Sequence, residues 1–88
     1  MVTRHVSVVN PLGLHARAAA RFVRLAAQFS STIRVAKGAR ELDGKSILGL
    51  LLLGASRGSV IVIRAEGPDE TVAVDALSKL VADGFEDA

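Results

Sequence analysis

Four stretches of the chain have the alternating or β-branched composition that is typical of β-strands. They cover residues 2–9, 32–36, 40–43 and 60–65. The second and third flank residues 37–39, whose composition predicts a turn and therefore a hairpin. The fourth is apolar over residues 60–63, which indicates a strand buried in the middle of a sheet.

Three further stretches have apolar residues at the spacing of an α-helix. The first runs from Ala16 to about Gln28, after a turn at residues 10–13. The second is short, residues 47–53, with Ser46 as its N-cap. The third follows Pro68 and begins with acidic residues, which are favourable at a helix N-terminus. We predict two apolar stripes that face the core: Ala16, Ala19, Ala20, Val23, Ala26 and Ala27 on the first helix, and Val72, Ala73, Ala76, Leu77, Leu80 and Val81 on the third.

The predicted element order is strand, helix, strand, strand, short helix, strand, helix. This order is typical of an α+β open-faced sandwich, in which a four-stranded antiparallel sheet carries three helices on one face (βαββαβα). The chain has 88 residues, of which 50% are hydrophobic, so a modest core is expected. We therefore expect a single domain over residues 1–88.

The composition excludes several kinds of site. The absence of cysteine excludes disulfides, a thiolate nucleophile and cysteine zinc sites. The glycines match no phosphate-binding loop and no Ser-His-Asp arrangement is evident, so we expect no metal, no cofactor and no autonomous enzyme. The N-terminus does not resemble a signal peptide, and the longest apolar run, residues 47–55, is far shorter than the roughly 20 residues of a membrane helix. A cytoplasmic protein is expected.

The chain has two histidines in different settings. His5 lies in the first strand pattern, where a surface position without a special role is expected. His15 follows Gly13 and starts the alanine-rich helix, where unpaired N–H groups and the helix dipole favour an uncharged imidazole and suit a phosphoryl group. Arg17 adds a permanent positive charge. The same residues also fit a simpler alternative, in which His15 only caps the helix and Arg17 is solvated.

Two segments resemble one known family. The segment Gly13-Leu14-His15-Ala16-Arg17 is similar to the active-site signature of HPr, the histidine-containing phosphocarrier family of the bacterial phosphotransferase system. The segment Lys45-Ser46-Ile47-Leu48-Gly49 resembles the second signature of the family, which contains a regulatory serine in many bacteria. Chain length and predicted element order also agree, so the resemblance covers nearly the whole chain.

The resemblance implies a carrier that acts between proteins. Phosphorylated Enzyme I would donate a phosphoryl group to Nδ1 of His15, and the carrier would pass it to a histidine of an Enzyme IIA-type protein. Arg17 would stabilise the transferring group, and a dedicated kinase would phosphorylate Ser46. Ile47, Leu48 and Leu51 would form a hydrophobic docking patch. Such a carrier has reason to be monomeric.

The sequence departs from the family pattern at one position of the first signature. Many members have proline after the arginine, whereas Ala18 follows Arg17 here. Alanine is compatible with a helix start, and this version is more similar to the nitrogen-related branch of the family. Sugar transport and nitrogen or metabolic regulation therefore both stay open as the output.

Two alternative functions fit parts of the sequence. A regulatory interaction module without phosphoryl transfer is disfavoured by the intact His15 and Arg17. A small RNA-binding domain would suit the fold class and the basic isoelectric point. However, Phe22, Phe29 and Phe85 lie in predicted helices or at their ends, so the sheet lacks a platform for stacking bases. We expect neither nucleic acid nor membrane as a partner.

Overall fold

A computed structural model describes residues 1–86 as one antiparallel sheet with helices on one face. The elements are β1 (Val2–Ser7), α1 (Ala16–Ala26), β2 (Thr32–Lys37), β3 (Arg40–Asp43), α2 (Ile47–Leu53), β4 (Val60–Glu66) and α3 (Glu70–Ala82), followed by a short 3-10 turn at Gly84–Glu86. The strands lie in the order β1-β4-β2-β3. The predicted fold class and element order are confirmed.

The centre of the sheet is formed by β4, which pairs with β1 on one side and β2 on the other. Ile61, Ile63 and Ala65 alternate along β4 and are buried against the helices. Ile63 lies directly opposite Val35 of β2, which is equally buried. The prediction of a central, buried fourth strand is therefore confirmed, and the core lies between this face and the helices.

The buried faces of α1 and α3 differ at some residues from the apolar stripes that we predicted for these helices. On α1 the buried face is centred on Ala18 and Phe22, while Ala16 and Ala27, which we predicted to be buried, are exposed. The reason is the size of Phe22, because burying an aromatic ring removes far more apolar surface from water than burying an alanine methyl group. On α3 the predicted Val72 is 62% exposed, since Val74 occupies the core position instead.

Two predicted boundaries were wrong at their C-terminal ends. The first strand ends at Ser7 rather than at residue 9, and α1 ends at Ala26 rather than near residue 28. Val8 is buried and still bonded through its backbone, because its N–H donates to Ser59 O at 2.8 Å. The apolar pattern thus continued past the point at which the strand pairing ends.

The start of α3 is tied to the turn between α1 and β2 by the carboxylate of Asp69. Ser31 donates to it from Oγ at 2.5 Å and from its backbone N at 2.9 Å, and Ser30 N donates at 2.8 Å. These donors, the Ser31 hydroxyl foremost, hold the pKa of Asp69 below its ordinary value. The stabilisation by Asp69 is therefore complete above the pKa of this carboxyl in the unfolded chain, and it is lost as the pH falls through the folded pKa.

Candidate functional site

His15 occupies the N-cap position of α1. Its backbone is extended (φ −81°, ψ 179°), and its carbonyl accepts the first helical hydrogen bond, from Ala19 N at 2.8 Å. The side chain forms no capping hydrogen bond. The side chain is half-buried, at the end of the helix where the backbone dipole is positive. The alternative in which the imidazole merely caps the helix is therefore not supported by this geometry.

The loop before His15, residues 10–14, is held by short hydrogen bonds, and we call it the His15 loop. The buried Asn10 side chain donates from Nδ2 to Gly13 O at 2.8 Å, and Gly13 N donates to Asn10 O at 3.1 Å. Gly13 O also accepts from His15 N at 2.9 Å. Leu14 is buried, and its N–H donates to Ala55 O at 2.9 Å, in the loop after α2. The backbone of the loop is thus fixed both locally and against a distant segment.

Gly13 allows two backbone segments to approach each other. Its φ of +63° lies in the left-handed region that side chains disfavour. A Cβ atom on Gly13 would lie 2.6 Å from Ala55 O and 2.9 Å from Ser56 Cα. Both neighbours are backbone atoms, which cannot move aside as a flexible side chain can. Any other residue here would push the His15 loop away from the loop after α2.

We expect Gly13→Ala to lower the free energy of unfolding by more than Gly38→Ala does. Each variant places alanine in the left-handed region, at a cost of roughly 1–2 kcal/mol. Gly38 is the matched control, because its φ is +60° and its Cβ position has no atom within 4 Å. Urea denaturation measures both losses. Equal losses would contradict the steric role that we assign to Gly13.

Arg17 lies exposed in the first turn of α1, two residues after His15. That turn contains no acidic residue. Arg17 and the positive end of the helix dipole therefore act in the same direction, and both favour an anion at this end of α1. The structure places the two sequence-predicted residues, His15 and Arg17, at one end of one helix.

Ser46 lies at the N-cap of α2, as predicted. Its Oγ accepts a hydrogen bond from Gly49 N at 3.0 Å. Leu50 and Leu53 are buried beneath the helix, which also agrees with the sequence analysis. One face of α2 packs against α1, so the opposite face is turned outward. The loop after α2 is bonded to the loop before His15, which brings α2 close to the start of α1.

The outward face of α2 is apolar. Ile47, Leu48 and Leu51 expose 43%, 67% and 39% of their surface, so all three predicted docking residues face solvent. Leu52 is 56% exposed and joins them, although the sequence analysis did not include it. Its position four residues after Leu48 places it on the same helix face, and this spacing could have identified it. We call these four residues the α2 patch.

Two exposed apolar residues near the His15 loop were also missed. Val9 is 47% exposed and Leu12 is 68% exposed, on either side of the buried Asn10. The turn composition of residues 10–13 predicted a loop but not which of its side chains would face solvent. Exposure of single apolar residues is ordinary, so these two are not counted with the α2 patch.

The C-terminal end of α2 is held by the hairpin of β2 and β3. Lys37 Nζ donates to Gly54 O at 3.0 Å, and Arg40 Nη1 donates to Leu52 O at 2.5 Å. These cations satisfy carbonyl groups that a helix end leaves without partners, and they lie at the negative end of its dipole. The orientation of the α2 patch therefore depends on the hairpin that precedes α2 in the chain.

Residues 1–86 contain no candidate metal cluster, and one cavity lies along α1 away from His15. No group of three or more histidine, aspartate or glutamate residues could hold a metal ion in this part of the chain. A cavity of about 230 Å³ lies further along α1, lined by Arg21, Arg24, Leu25, Gln28, Leu80 and Glu86, and it does not include His15 or Arg17. No helix of the described residues is long and apolar enough to cross a membrane.

Comparison with known proteins gives one family over nearly the whole chain. The family described as the PTS HPr component phosphorylation site matches residues 2–83. The phosphocarrier protein HPr of Cupriavidus necator is 42% identical over 85 residues, which cover 97% of this chain and 96% of that protein. The phosphocarrier protein NPr of Shewanella violacea is 39% identical over 85 residues, covering 97% of this chain and 93% of that protein.

Solved structures agree with the sequence comparison. The crystal structure of HPr-C-His from Thermoanaerobacter tengcongensis superimposes with a TM-score of 0.95 at 42% identity, and covers 100% of this chain and 99% of that chain. The crystal structure of a phosphocarrier protein HPr from Bacillus anthracis has a TM-score of 0.87 at 39% identity, with 91% and 95% of the two chains covered. Fold and sequence therefore point to the same family.

Proposed function

This chain belongs to the HPr family of phosphocarrier proteins of the bacterial phosphotransferase system, and from that membership we propose that His15 accepts a phosphoryl group from phosphorylated Enzyme I and passes it to a histidine of an Enzyme IIA-type protein. The observation that carries the proposal is the setting of His15. It is the N-cap of α1, its side chain makes no capping bond, and Arg17 follows in the first turn. The carrier acts as a single domain, a monomer in the cytoplasm.

The transfer step exchanges one nitrogen–phosphorus bond for another. A bond forms between Nδ1 of His15 and phosphorus while the bond in the phosphohistidine of Enzyme I breaks, and its electron pair returns to the donor imidazole. Nε2 of His15 keeps its proton, so no proton needs to leave. Such a step depends on positioning and on charge stabilisation more than on covalent machinery. The hydrogen-bonded loop before His15 supplies the positioning, and Arg17 with the helix dipole supplies the charge stabilisation.

The partner surface combines charge and apolar area. Arg17 and Arg24 are exposed on α1, whereas Arg21 is half-buried and donates from Nη1 to Phe85 O at 2.8 Å. The α2 patch supplies exposed apolar side chains on the adjoining helix. We propose that partners present an acidic rim around an apolar pocket, which is the arrangement of a transient interface.

The test uses labelled phosphoenolpyruvate with magnesium, Enzyme I, and an Enzyme IIA-type acceptor added in a second step. We expect label on the protein that is labile in acid and stable in base, and its transfer to the acceptor. Both the sugar-related and the nitrogen-related Enzyme I are used, because the relatives include proteins named HPr and NPr. The more efficient donor assigns the branch. Failure of both donors, each active on a known carrier, would overturn the proposal.

We further propose that phosphorylation of Ser46 by an ATP-dependent kinase weakens docking. We expect Ser46→Asp to accept phosphoryl groups from Enzyme I more slowly while its thermal stability stays close to that of the wild type. Aspartate is a good N-cap, so the contact with Gly49 N is retained, but its charge lies next to Ile47 of the α2 patch and opposes an acidic partner.

Ser46→Ala separates charge from capping in this experiment. It removes the cap, at a cost of about 1 kcal/mol, and adds no charge, so its transfer rate is expected to stay near that of the wild type. The rate of phosphoryl acceptance is measured for both variants at several salt concentrations. A Ser46→Asp variant as fast as the wild type would refute the regulatory role.

A further inference from the structure

Arg57 lies in the loop between α2 and β4, which packs directly against the loop that precedes His15. Leu14 N donates to Ala55 O at 2.9 Å, so the two loops are bonded. The same close approach places the backbone N of Arg57 only 3.3 Å from the Cβ position of Gly13. Arg57 is therefore a tertiary neighbour of a residue only two positions before His15, although it is distant from His15 in the sequence.

The loop that carries Arg57 is anchored on both sides. Gly58 N donates to Val8 O at 2.8 Å, and Val8 N donates to Ser59 O at 2.8 Å. These bonds connect the loop to the end of β1, just before the turn that leads to His15. The backbone position of Arg57 relative to the His15 loop is thus set by bonds before and after it along the chain.

The guanidinium of Arg57 has no counter-ion within the described residues. Arg57 is exposed and forms no hydrogen bond or ion pair in residues 1–86. Arg4 Nη1 lies 2.5 Å from Asp75 Oδ1, and Arg34 and Arg64 both contact Glu41, whereas Arg24 of α1 is exposed and has no such partner in residues 1–86. Arg57 is thus a positive charge without an acidic partner, close to the loop before His15. This points to a role when His15 is phosphorylated.

We propose that Arg57 supplies a second guanidinium to the phosphoryl group on His15, from the side opposite to Arg17. The inference rests on the proposed function, because it concerns the phosphorylated form of His15. Arg17 approaches from the first turn of α1, and Arg57 approaches from the loop after α2. The arginine side chain is long enough to extend beyond the contact between the two loops.

The expected consequence is a shift in the transfer equilibrium. Phosphorylation of Nδ1 adds a group that carries close to two negative charges at neutral pH, whereas the unmodified imidazole carries no negative charge. A nearby guanidinium therefore stabilises the phosphorylated protein more than the unphosphorylated one. Because Arg57 is exposed, water and salt reduce this effect below that of a buried pair.

The experiment measures the equilibrium constant for phosphoryl transfer between Enzyme I and the wild type, Arg57→Gln, Arg57→Lys and Arg4→Gln. We expect Arg57→Gln to shift the equilibrium towards phosphorylated Enzyme I by about three- to tenfold, with Arg57→Lys in between. Arg4→Gln removes the same net charge from a distant strand, where Arg4 pairs with Asp75, and is expected to leave the equilibrium unchanged. Circular dichroism checks that each variant is folded.

Phosphorus NMR of the phosphorylated proteins gives a second measurement. Loss of a nearby cation disfavours the doubly charged phosphoryl group, so its titration in Arg57→Gln is expected to move to higher pH. An unchanged equilibrium and titration, with only a slower and salt-dependent association rate, would overturn the inference and leave Arg57 as a residue that steers docking. If the wild type accepted no phosphoryl group in the same assay, the proposed function itself would fall, and the inference with it.

Discussion

His15→Ala is expected to accept no measurable phosphoryl group from phosphorylated Enzyme I. The variant lacks the nucleophilic nitrogen, and alanine offers no substitute. The fold is expected to persist, because the His15 side chain forms no capping hydrogen bond and the backbone carbonyl that accepts from Ala19 N is retained. Incorporation of label from phosphoenolpyruvate is measured together with thermal unfolding of the same sample.

His5→Ala is the matched control, because the chain has only two histidines. His5 is exposed on the edge strand β1, opposite Val62 of β4, and takes no part in the His15 loop. We expect this variant to incorporate label as fast and as completely as the wild type. Labelling of a folded His15→Ala protein, or loss of labelling in His5→Ala alone, would show that the phosphoryl group is not carried by His15.

Arg17→Ala is expected to slow phosphoryl transfer by about 100- to 1000-fold, the usual effect of removing one preorganised donor to a transition-state charge. Arg17 lies in the first turn of α1, which contains no acidic residue. The charge on the phosphoryl oxygens is spread during transfer, and a planar guanidinium can donate to two of them at once. Rapid-quench measurement of single turnovers with phosphorylated Enzyme I gives the rate.

Arg17→Lys tests whether the shape of the guanidinium contributes beyond its charge. A lysine keeps the positive charge but cannot form the paired hydrogen bonds, so we expect an intermediate rate. The two contributions are separated by varying the concentration of Enzyme I. A defect in Arg17→Ala that disappears at saturating Enzyme I would assign Arg17 to docking, whereas a defect in the saturated rate agrees with a role in the transfer step.

Much of the fold could be predicted because the local signals agreed with the final packing. The apolar run at Ile61 and Ile63 predicted a central strand, and β4 is central. Ser46 predicted a helix start, and its hydroxyl caps α2. The predictions that were wrong concerned the C-terminal ends of β1 and α1 and which side of a helix is buried. Ala16 and Val72 have apolar side chains at helical spacing but face solvent, because Phe22 and Val74 fill the core instead.

The candidate site was predicted as single residues rather than as a surface. His15 at a helix start and Arg17 beside it followed from the turn at residues 10–13 and the alanine-rich helix after it. The position of Arg57 beside the loop before His15 could not be predicted, because no local pattern connects it with Gly13. The contacts of Lys37 and Arg40 with the end of α2 were also missed, because the strand and turn patterns do not show which helix end the hairpin packs against.

The sequence by itself determined the order of the secondary-structure elements and the fold class, and its resemblance to one family identified the candidate phosphoryl acceptor. The element order and fold class depend on interactions between residues that are close along the chain, such as a cap, a turn or the spacing of apolar side chains. Only the tertiary structure decided that Gly13 packs against the 55–57 loop, that Arg57 lies beside the His15 loop, and that α2 exposes four apolar side chains. Those features depend on how complete elements pack, because burial of the core selects one orientation of each helix and the surface is what remains outside it.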